Sequence, residues 1–173
     1  MTLLDAYALI AFLVGGPAAP RVRRLLREGD AAVATANLAE ALDVSQRVYG
    51  LAIERAMAVL DPLFGRPLVT LPLDLEVARR AAEVRSAHYH RSSRPISLAD
   101  AILLASAGAS DRIATADPDV LAVARAEGLS TLRLPGQARS LRATRRPRTG
   151  IARSSDGRSA AEVTAEPIAE DPL

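Results

Sequence analysis

The chain has 173 residues, enough for one domain with a real hydrophobic core and an appendage. Cysteine is absent, which excludes disulfides and thiolate metal sites, so any metal site has to be built mainly from oxygen ligands. No apolar stretch reaches the roughly 20 residues that cross a membrane, and no basic region precedes the N-terminal hydrophobic residues, so we expect a cytoplasmic protein.

Short apolar runs alternate with amphipathic runs over residues 1–135, which predicts strands alternating with helices. This order indicates an α/β fold with a central parallel sheet of four to five short strands, flanked by helices on both faces. The predicted strands are one ending at Asp5, one over 31–36, one over 68–71, one over 112–115 and a last one in "LSTLRL". The predicted helices between the first and third strands are one from Tyr7 ended by Gly15–Pro17, one over 19–27, one from Asn37 and a further one stopping near Pro62. The later predicted helices start at Asp74 and at Ser97, and the last one is ended by Gly128.

Four acids stand where predicted strands end or helices begin, and these are Asp5, Glu40, Asp100 and Asp117. Each has an ordinary structural explanation, because an acid at a helix N-terminus caps backbone N–H groups and gains about 0.3–1 kcal/mol from the helix dipole. "SLAD" at 97–100 has the form of a capping box, and "NLAE" at 37–40 has the same spacing. In a parallel sheet, however, the carboxyl ends of all strands lie along one edge, where ligands bind. Capping alone does not require four acids on that edge.

A cluster of carboxylates implies a cation. Two carboxylates about 4 Å apart repel by about 1 kcal/mol in water and by about 4 kcal/mol at an effective dielectric constant of 20. The chain contains no lysine to relieve this repulsion. Carboxylate-rich, oxygen-only sites suit Mg²⁺ or Mn²⁺, which activate water and stabilise phosphoryl transition states. The pattern therefore indicates a nuclease or a phosphatase, although receiver domains and haloacid-dehalogenase-type phosphatases are disfavoured because both use a lysine near the phosphoryl group.

The four acids lie in four sequence blocks, "LLDAYALIAFL", "ATANLAEAL", "ISLADAILLASA" and "IATADPDVLAVA". In order and spacing these blocks resemble those of PIN-domain proteins, specifically the VapC-type ribonuclease toxins of toxin–antitoxin pairs. The resemblance implies a three-layer PIN domain over residues 1–135, and an acidic quartet of Asp5, Glu40, Asp100 and Asp117 that binds Mg²⁺ or Mn²⁺. It also implies hydrolysis of RNA phosphodiesters by a water nucleophile, a homodimer, and a cognate antitoxin. The alternative is a PIN fold that holds RNA or a partner without cutting it.

Three further residues belong to the predicted site. Asp119 competes with Asp117 for the fourth acidic position. Thr115 is expected to support the site through its hydroxyl, although a β-branched strand residue requires no such role. Many relatives carry Ser or Thr where this chain has Tyr7, whose phenol either narrows the site or supplies its own hydroxyl.

The remaining polar residues give weaker evidence of a function. His88 and His90 are spaced i, i+2 and do not share a helical face, so metal binding is not expected there. Arg91 and Arg94 either contact phosphates at the site or belong to an exposed loop, which we favour.

Residues 136–173 lack apolar periodicity and are rich in Arg, Ser and Pro, which predicts a disordered tail. Residues 137–173 carry 7 arginines and 5 acids, whereas residues 1–136 carry 15 of each. The tail either binds RNA nonspecifically by counterion release or has no role, which we slightly favour.

Overall fold

The computed structural model describes residues 1–136, which form a parallel sheet covered by helices. The strands are β1 (Thr2–Leu4), β2 (Ala31–Ala34), β3 (Leu68–Leu71), β4 (Arg112–Thr115) and β5 (Ser130–Arg133). The helices are α1 (Ala6–Val14), α2 (Ala19–Glu28), α3 (Thr35–Tyr49), α4 (Ile53–Leu60), α5 (Leu75–His88), α6 (Leu98–Ser106) and α7 (Pro118–Ala126), and a 3₁₀ turn (Asp61–Leu63) follows α4.

The five strands are all parallel and stand in the order β3-β2-β1-β4-β5. In the central strand, Leu3 pairs with Ala32 on one side and Ile113 on the other. The chain builds the sheet outward from β1 in one direction and then crosses to build it in the other. The strand order therefore reverses between β1 and β4, and the carboxyl ends of these strands form the crevice where α/β sheets bind ligands.

Side chains of the central strands alternate between two cores. Leu4, Val33 and Ala114 face one core, which is filled by side chains of α1 and α2. Leu3 and Ile113 face the other core, which is filled by side chains of α5, α6 and α7. Successive strand residues point to opposite faces, and a sheet buried on both faces needs apolar residues at consecutive positions. The predicted α/β fold with three layers and a parallel sheet is confirmed.

One predicted boundary is wrong. The second strand ends at Ala34 instead of residue 36, so Asn37 lies inside α3 and does not cap it. Ala34 occupies the cap position with extended backbone and provides no side-chain hydrogen bond. Alanine is compatible with both a strand and a helix, so "AAVATAN" contains no signal for the change.

Within residues 1–136, none of the helices is long and apolar enough to cross a membrane. The predicted disordered tail lies outside the described residues from position 137 onward, and the domain boundary near residue 135 stays a prediction.

Candidate functional site

A cavity of about 250 Å³ opens at the carboxyl end of the sheet. All four acids of the predicted quartet line it, although they come from distant parts of the chain. Its lining consists of Asp5, Ala6, Tyr7, Ile10, Glu40, Val44, Pro95, Ser97, Asp100 and Asp117. Of these described residues, none is basic, so the cavity is lined by carboxylates without a neutralising side chain.

Asp5 and Asp117 lie just after the two strands between which the strand order reverses. Asp5 follows β1, and its N–H donates to the carbonyl oxygen of Ala114 in β4 at 3.3 Å. Its Oδ1 accepts a hydrogen bond from the N–H of Ala8 at 2.7 Å and so caps α1. Asp117 caps α7 in the same way, with Oδ1 accepting from the N–H of Asp119 at 2.7 Å. The ends of β1 and β4 therefore place these two carboxylates beside one cavity.

Asp100 reaches the cavity from the first turn of α6, where it forms the predicted capping box. The N–H of Ser97 donates to Oδ2 of Asp100 at 2.8 Å, and the N–H of Asp100 donates to Oγ of Ser97 at 3.0 Å. The first of these hydrogen bonds fixes the rotamer of Asp100, and the second fixes that of Ser97. A carboxylate accepts through two oxygens, so a cap that uses one oxygen leaves capacity for a further ligand. Asp100 is therefore both a cap and a wall of the cavity.

Glu40 differs from the other three acids because it does not begin a helix. It lies in the second turn of α3, and its side chain is partly buried. Val44, one helical turn further along, lines the same cavity. Residues four apart share a helix face, so one face of α3 forms this wall.

The electrostatics of the cavity disfavour ionised carboxylates. Burial raises the pKa of Asp5 from 3.8 to about 7, against hydrogen bonds from Thr115 and Ala8, and the charges of Asp100 and Asp117 raise it further. Burial is also the main cause that raises the pKa of Asp100, and neighbouring Asp117 and Asp119 add to it. The pKa of Glu40 is raised by burial and then by the charge of Asp100. Because each charge opposes the others, a cation in the cavity would relieve all of them at once.

The three further residues predicted for the site differ in their position relative to the cavity. The buried Thr115 hydroxyl accepts a hydrogen bond from the N–H of Asp117 at 2.9 Å. Asp119 raises the pKa of Asp100 by its charge but does not line the cavity, whereas Asp117 does. Tyr7 lines the cavity, and its hydroxyl donates to the carbonyl oxygen of Pro135 at 2.7 Å.

The other polar residues considered from sequence lie away from the cavity lining. Nε2 of His88 lies 2.6 Å from Oε1 of Glu127, and Nδ1 of His90 accepts from the N–H of Ser93 at 3.3 Å. Arg91 is exposed in a turn, and Arg94 forms a backbone bridge with His90.

Sequence reasoning missed the apolar walls, Ala6, Ile10 and Val44, together with Pro95. A usable signal existed for two of them. Ile10 lies three residues after Tyr7, and Val44 lies four residues after Glu40, which are spacings that share a helix face.

The donor set fits a hard divalent cation in its chemistry. It offers only oxygen, it carries mutual repulsion that a cation removes, and its capped rotamers are ordered. Among residues 1–136, however, no three carboxylate or imidazole side chains are grouped closely enough to hold a metal ion as they stand. The suitability of the four acids for a divalent cation therefore rests on their oxygen donors and on their shared cavity, not on preformed coordination geometry.

Comparison with known proteins gives one family and a set of similar structures. The family model described as "PIN domain" matches residues 2–126. A search of curated proteins finds no match.

Three solved structures show the same fold with probability 1.00. DNA-bound VapBC from Salmonella typhimurium is 21% identical with a TM-score of 0.58, over 76% of this chain and 96% of that chain. FitAcB from Neisseria gonorrhoeae is 25% identical with a TM-score of 0.52, over 77% and 97%. VapC20 from Mycobacterium tuberculosis, a toxin that cleaves the sarcin–ricin loop, is 15% identical with a TM-score of 0.51, over 79% and 92%. With TM-scores of 0.51 to 0.58 and identities of 15% to 25%, these likenesses show a shared fold.

Proposed function

The chain belongs to the PIN domain family, as its sequence blocks predicted, and from this premise we propose that it is a Mg²⁺- or Mn²⁺-dependent endoribonuclease and the toxin of a toxin–antitoxin pair. The observation that carries the proposal is the cavity at the carboxyl end of the sheet, which four carboxylates line together. Helix capping explains the local position of three of them. It does not explain why Glu40, which caps nothing, lines the same cavity.

In this proposal the roles follow from position. Asp5 and Asp100 hold the principal ion, because both are substantially buried and both have fixed rotamers. Glu40 and Asp117 complete its coordination or position a second ion and the attacking water. Thr115 orders the loop before α7 by accepting from the N–H of Asp117. A bound Mg²⁺ or Mn²⁺ would supply charge neutralisation at the scissile phosphate and a more acidic water.

The proposed partners follow from the named relatives. A similar solved structure from Klebsiella pneumoniae is described as a toxin–antitoxin complex, and VapC20 is described as a toxin, which supports a cognate antitoxin for this chain. The homodimer, the RNA substrate and the cytoplasmic location are parts of the same proposal.

The test is cleavage of RNA by the purified full chain with millimolar Mg²⁺, compared with Asp5→Asn, Asp100→Asn and an EDTA control. Groups that only support a metal ligand contribute about 10- to 100-fold to activity or affinity, so loss of a direct ligand is expected to reduce the rate by about 100-fold or more. Asp74→Asn is the matched control, because Asp74 caps α5 through a hydrogen bond from Val77 at 2.8 Å and does not line the cavity.

Undiminished cleavage by Asp5→Asn or Asp100→Asn would remove the proposed roles. The second candidate function is a PIN fold that binds RNA or a partner without turnover. It is favoured by the lack, within residues 1–136, of carboxylates grouped closely enough to hold an ion. RNA binding without Mg²⁺-dependent cleavage by the wild-type chain would establish that alternative.

A further inference from the structure

The three residues that follow β5, which we call the rim segment (134–136), lie beside the turn that leads into α7. Leu134 is buried, and its N–H donates to the carbonyl oxygen of Thr115 at 2.9 Å, which extends the pairing of β4 with β5 by one hydrogen bond. A Cβ placed on Gly136 would lie 3.8 Å from that of Ala116 in the turn. The rim segment therefore contacts this turn at both of its ends.

The middle residue of the rim segment is bound by α1. Pro135 has no N–H, so its backbone offers only the carbonyl oxygen for hydrogen bonding. The hydroxyl of Tyr7 donates to that oxygen at 2.7 Å. Tyr7 lines the acidic cavity and lies in the first turn of α1, two residues after Asp5. Its hydroxyl therefore connects the helix that Asp5 caps to the rim segment.

Hydrogen bonds continue from the rim segment to Asp117. Thr115, whose carbonyl oxygen accepts from Leu134, also accepts at its hydroxyl from the N–H of Asp117 at 2.9 Å. Thr115 is fully buried, and Leu134 belongs to the hydrophobic core against which Tyr7 packs. The connection from the Tyr7 hydroxyl to the Asp117 backbone thus passes through buried groups.

Asp117 is the acid of the cavity that most needs such a connection. Its charge raises the pKa of Asp5 and of Asp100, so the ionised carboxylates repel one another. It is exposed, whereas the other three acids are buried or half-buried. The hydrogen bond from the N–H of Asp119 ties Asp117 to α7 but not to the other acids. Repulsion therefore favours displacement of Asp117 towards solvent, and a hydrogen bond from α1 opposes it.

We propose that Tyr7 is a positioning residue, whose hydroxyl acts through the rim segment to hold the turn that carries Asp117 at the cavity. The proposal rests on the proposed metal-dependent function for the use that is made of this position. Because the hydroxyl of Tyr7 is engaged by Pro135, it acts on the site through the backbone and not as a metal ligand.

The first experiment uses the metal-free full chain. Amide hydrogen exchange, followed by NMR in EDTA, compares the wild type with Tyr7→Phe, which removes only the hydroxyl. Exchange at the amides of Leu134 and Asp117 is expected to be about 2- to 10-fold faster in the variant, the factor that one neutral hydrogen bond contributes. Amides inside α3 are the internal reference, and their exchange is expected to be unchanged.

Tyr89→Phe is the matched control, because it removes the same hydroxyl at a residue that does not line the acidic cavity. The ring, whose centroid lies 4.4 Å from the guanidinium carbon of Arg85, is kept. Exchange at Leu134 and Asp117 is expected to match the wild type. Equal exchange of these two amides in the wild type and Tyr7→Phe would overturn the proposal. Faster exchange throughout the chain, with α3 included, would also overturn it, because the hydroxyl would then support the fold as a whole.

Binding of Mn²⁺, measured by EPR of the free ion, tests whether this position matters to a cation. Tyr7→Phe is expected to weaken Mn²⁺ binding by about 2- to 10-fold, since one neutral hydrogen bond is lost. In an Asp117→Asn background, which keeps a capping oxygen without the charge, Tyr7→Phe is expected to have no further effect. In a Glu40→Gln background its effect is expected to persist. An equal loss in the Asp117→Asn background, or an unchanged affinity in Tyr7→Phe alone, would overturn the proposal.

The two experiments separate this proposal from the proposed function. If the wild type binds no Mn²⁺ and cleaves no RNA, while Tyr7→Phe accelerates exchange at Leu134 and Asp117 but not in α3, the metal-dependent function fails and the positioning role stands. If the wild type binds Mn²⁺ and cleaves RNA, while exchange at both amides is unchanged by Tyr7→Phe, the function stands and the positioning role fails.

Discussion

The two ends of the sheet each hold a buried aspartate, and the two carboxyls behave in opposite ways. Asp111, 8% exposed, lies at the amino end just before β4, where the N-terminal ammonium of Met1 and the N–H of Gly108 donate to it. The hydrogen bond from that ammonium is the main cause that lowers the pKa of Asp111. Asp5, 5% exposed, lies at the carboxyl end, where burial raises its pKa to about 7 and other acids raise it further.

The two carboxyls therefore differ in what dominates the pKa: burial raises that of Asp5, whereas the neighbouring ammonium lowers that of Asp111. At the amino end the cation is part of the chain, so the ion pair is complete in the folded protein. At the carboxyl end the described residues that line the cavity supply acids and no base. The amino end stabilises the fold, whereas the carboxyl end holds unfavourable electrostatic energy that a bound cation would release.

The largest expected effect comes from matched substitutions at the two ends. In EDTA at pH 7.5, Asp5→Asn is expected to raise the free energy of unfolding by as much as about 4 kcal/mol, since about three pKa units at 1.36 kcal/mol each are removed. Asp111→Asn is expected to lower it by about 1.5–3 kcal/mol, because a hydrogen bond to a charged group is lost. Urea denaturation measures both values. If Asp5→Asn destabilised the metal-free protein, the two ends would not differ as described.

The pH dependence of stability is the next effect in size. The unfolded Asp5 carboxyl titrates near 3.8 and the folded one near 7, so between these values the folded state binds more protons and stability falls as pH rises. The raised pKa values of Asp100 and Glu40 act in the same direction. The lowered pKa of Asp111 contributes stability that is lost only as the pH falls below about 4.

In EDTA the Tm is therefore expected to fall by about 5–10 °C between pH 5 and pH 7. In a domain of this size, each kcal/mol lost from the free energy of unfolding lowers the Tm by about 2 °C or more. Millimolar Mg²⁺ is expected to raise the Tm at pH 7 and to flatten this decline. Asp5→Asn is the control, and its Tm in EDTA should fall less between pH 5 and pH 7 than that of the wild type. A Tm that rises with pH over this range, or that ignores Mg²⁺, would contradict the account of the carboxyl end.

Local hydrogen bonds of the site could be predicted from sequence. The Ser97–Asp100 capping box joins residues three apart, so its pattern is complete within four letters. The capping of α1 by Asp5 and of α7 by Asp117 also involves only neighbouring residues. A parallel sheet also places the carboxyl ends of all its strands along one edge, whereas the pairing of β1 with β4 was not predicted from sequence.

Long-range contacts could not be predicted in the same way. The hydrogen bond between Tyr7 and Pro135 spans 128 positions, and the ion pair between Met1 and Asp111 spans 110. The alternatives for Tyr7, a phenol that narrows the site or one that supplies its own hydroxyl to it, did not include a hydrogen bond to Pro135. The first contact depends on the path of the chain after β5, and the second depends on the pairing of β1 with β4, and apolar alternation encodes neither.

At the start of α3, residue preference predicted the wrong position for a residue. Asn37 was expected to cap this helix, yet it is fully buried inside it, and neither atom of its amide has a hydrogen-bond partner in the described protein. Ser45, two turns later on the same face, is buried in the same state. Asparagine is strongly favoured at caps and rarely buried without a partner, so sequence preference indicated the wrong role.

The smallest expected effect is the change in stability at Ser97, where three substitutions distinguish the contribution of helix capping from that of an added charge. Ser97→Ala removes the acceptor for the N–H of Asp100 and is expected to lower the free energy of unfolding by about 1 kcal/mol. Ser97→Asn keeps a capping oxygen without charge and should stay near the wild type. Ser97→Asp also caps but adds a fifth carboxylate to the cavity lining, so in EDTA at pH 7.5 it is expected to be less stable than Ser97→Asn, and Mg²⁺ should narrow that gap. Equal stability of the Asn and Asp variants in EDTA would mean that solvent screens the cavity, and the contrast with the amino end would then reduce to the burial of Asp5 alone.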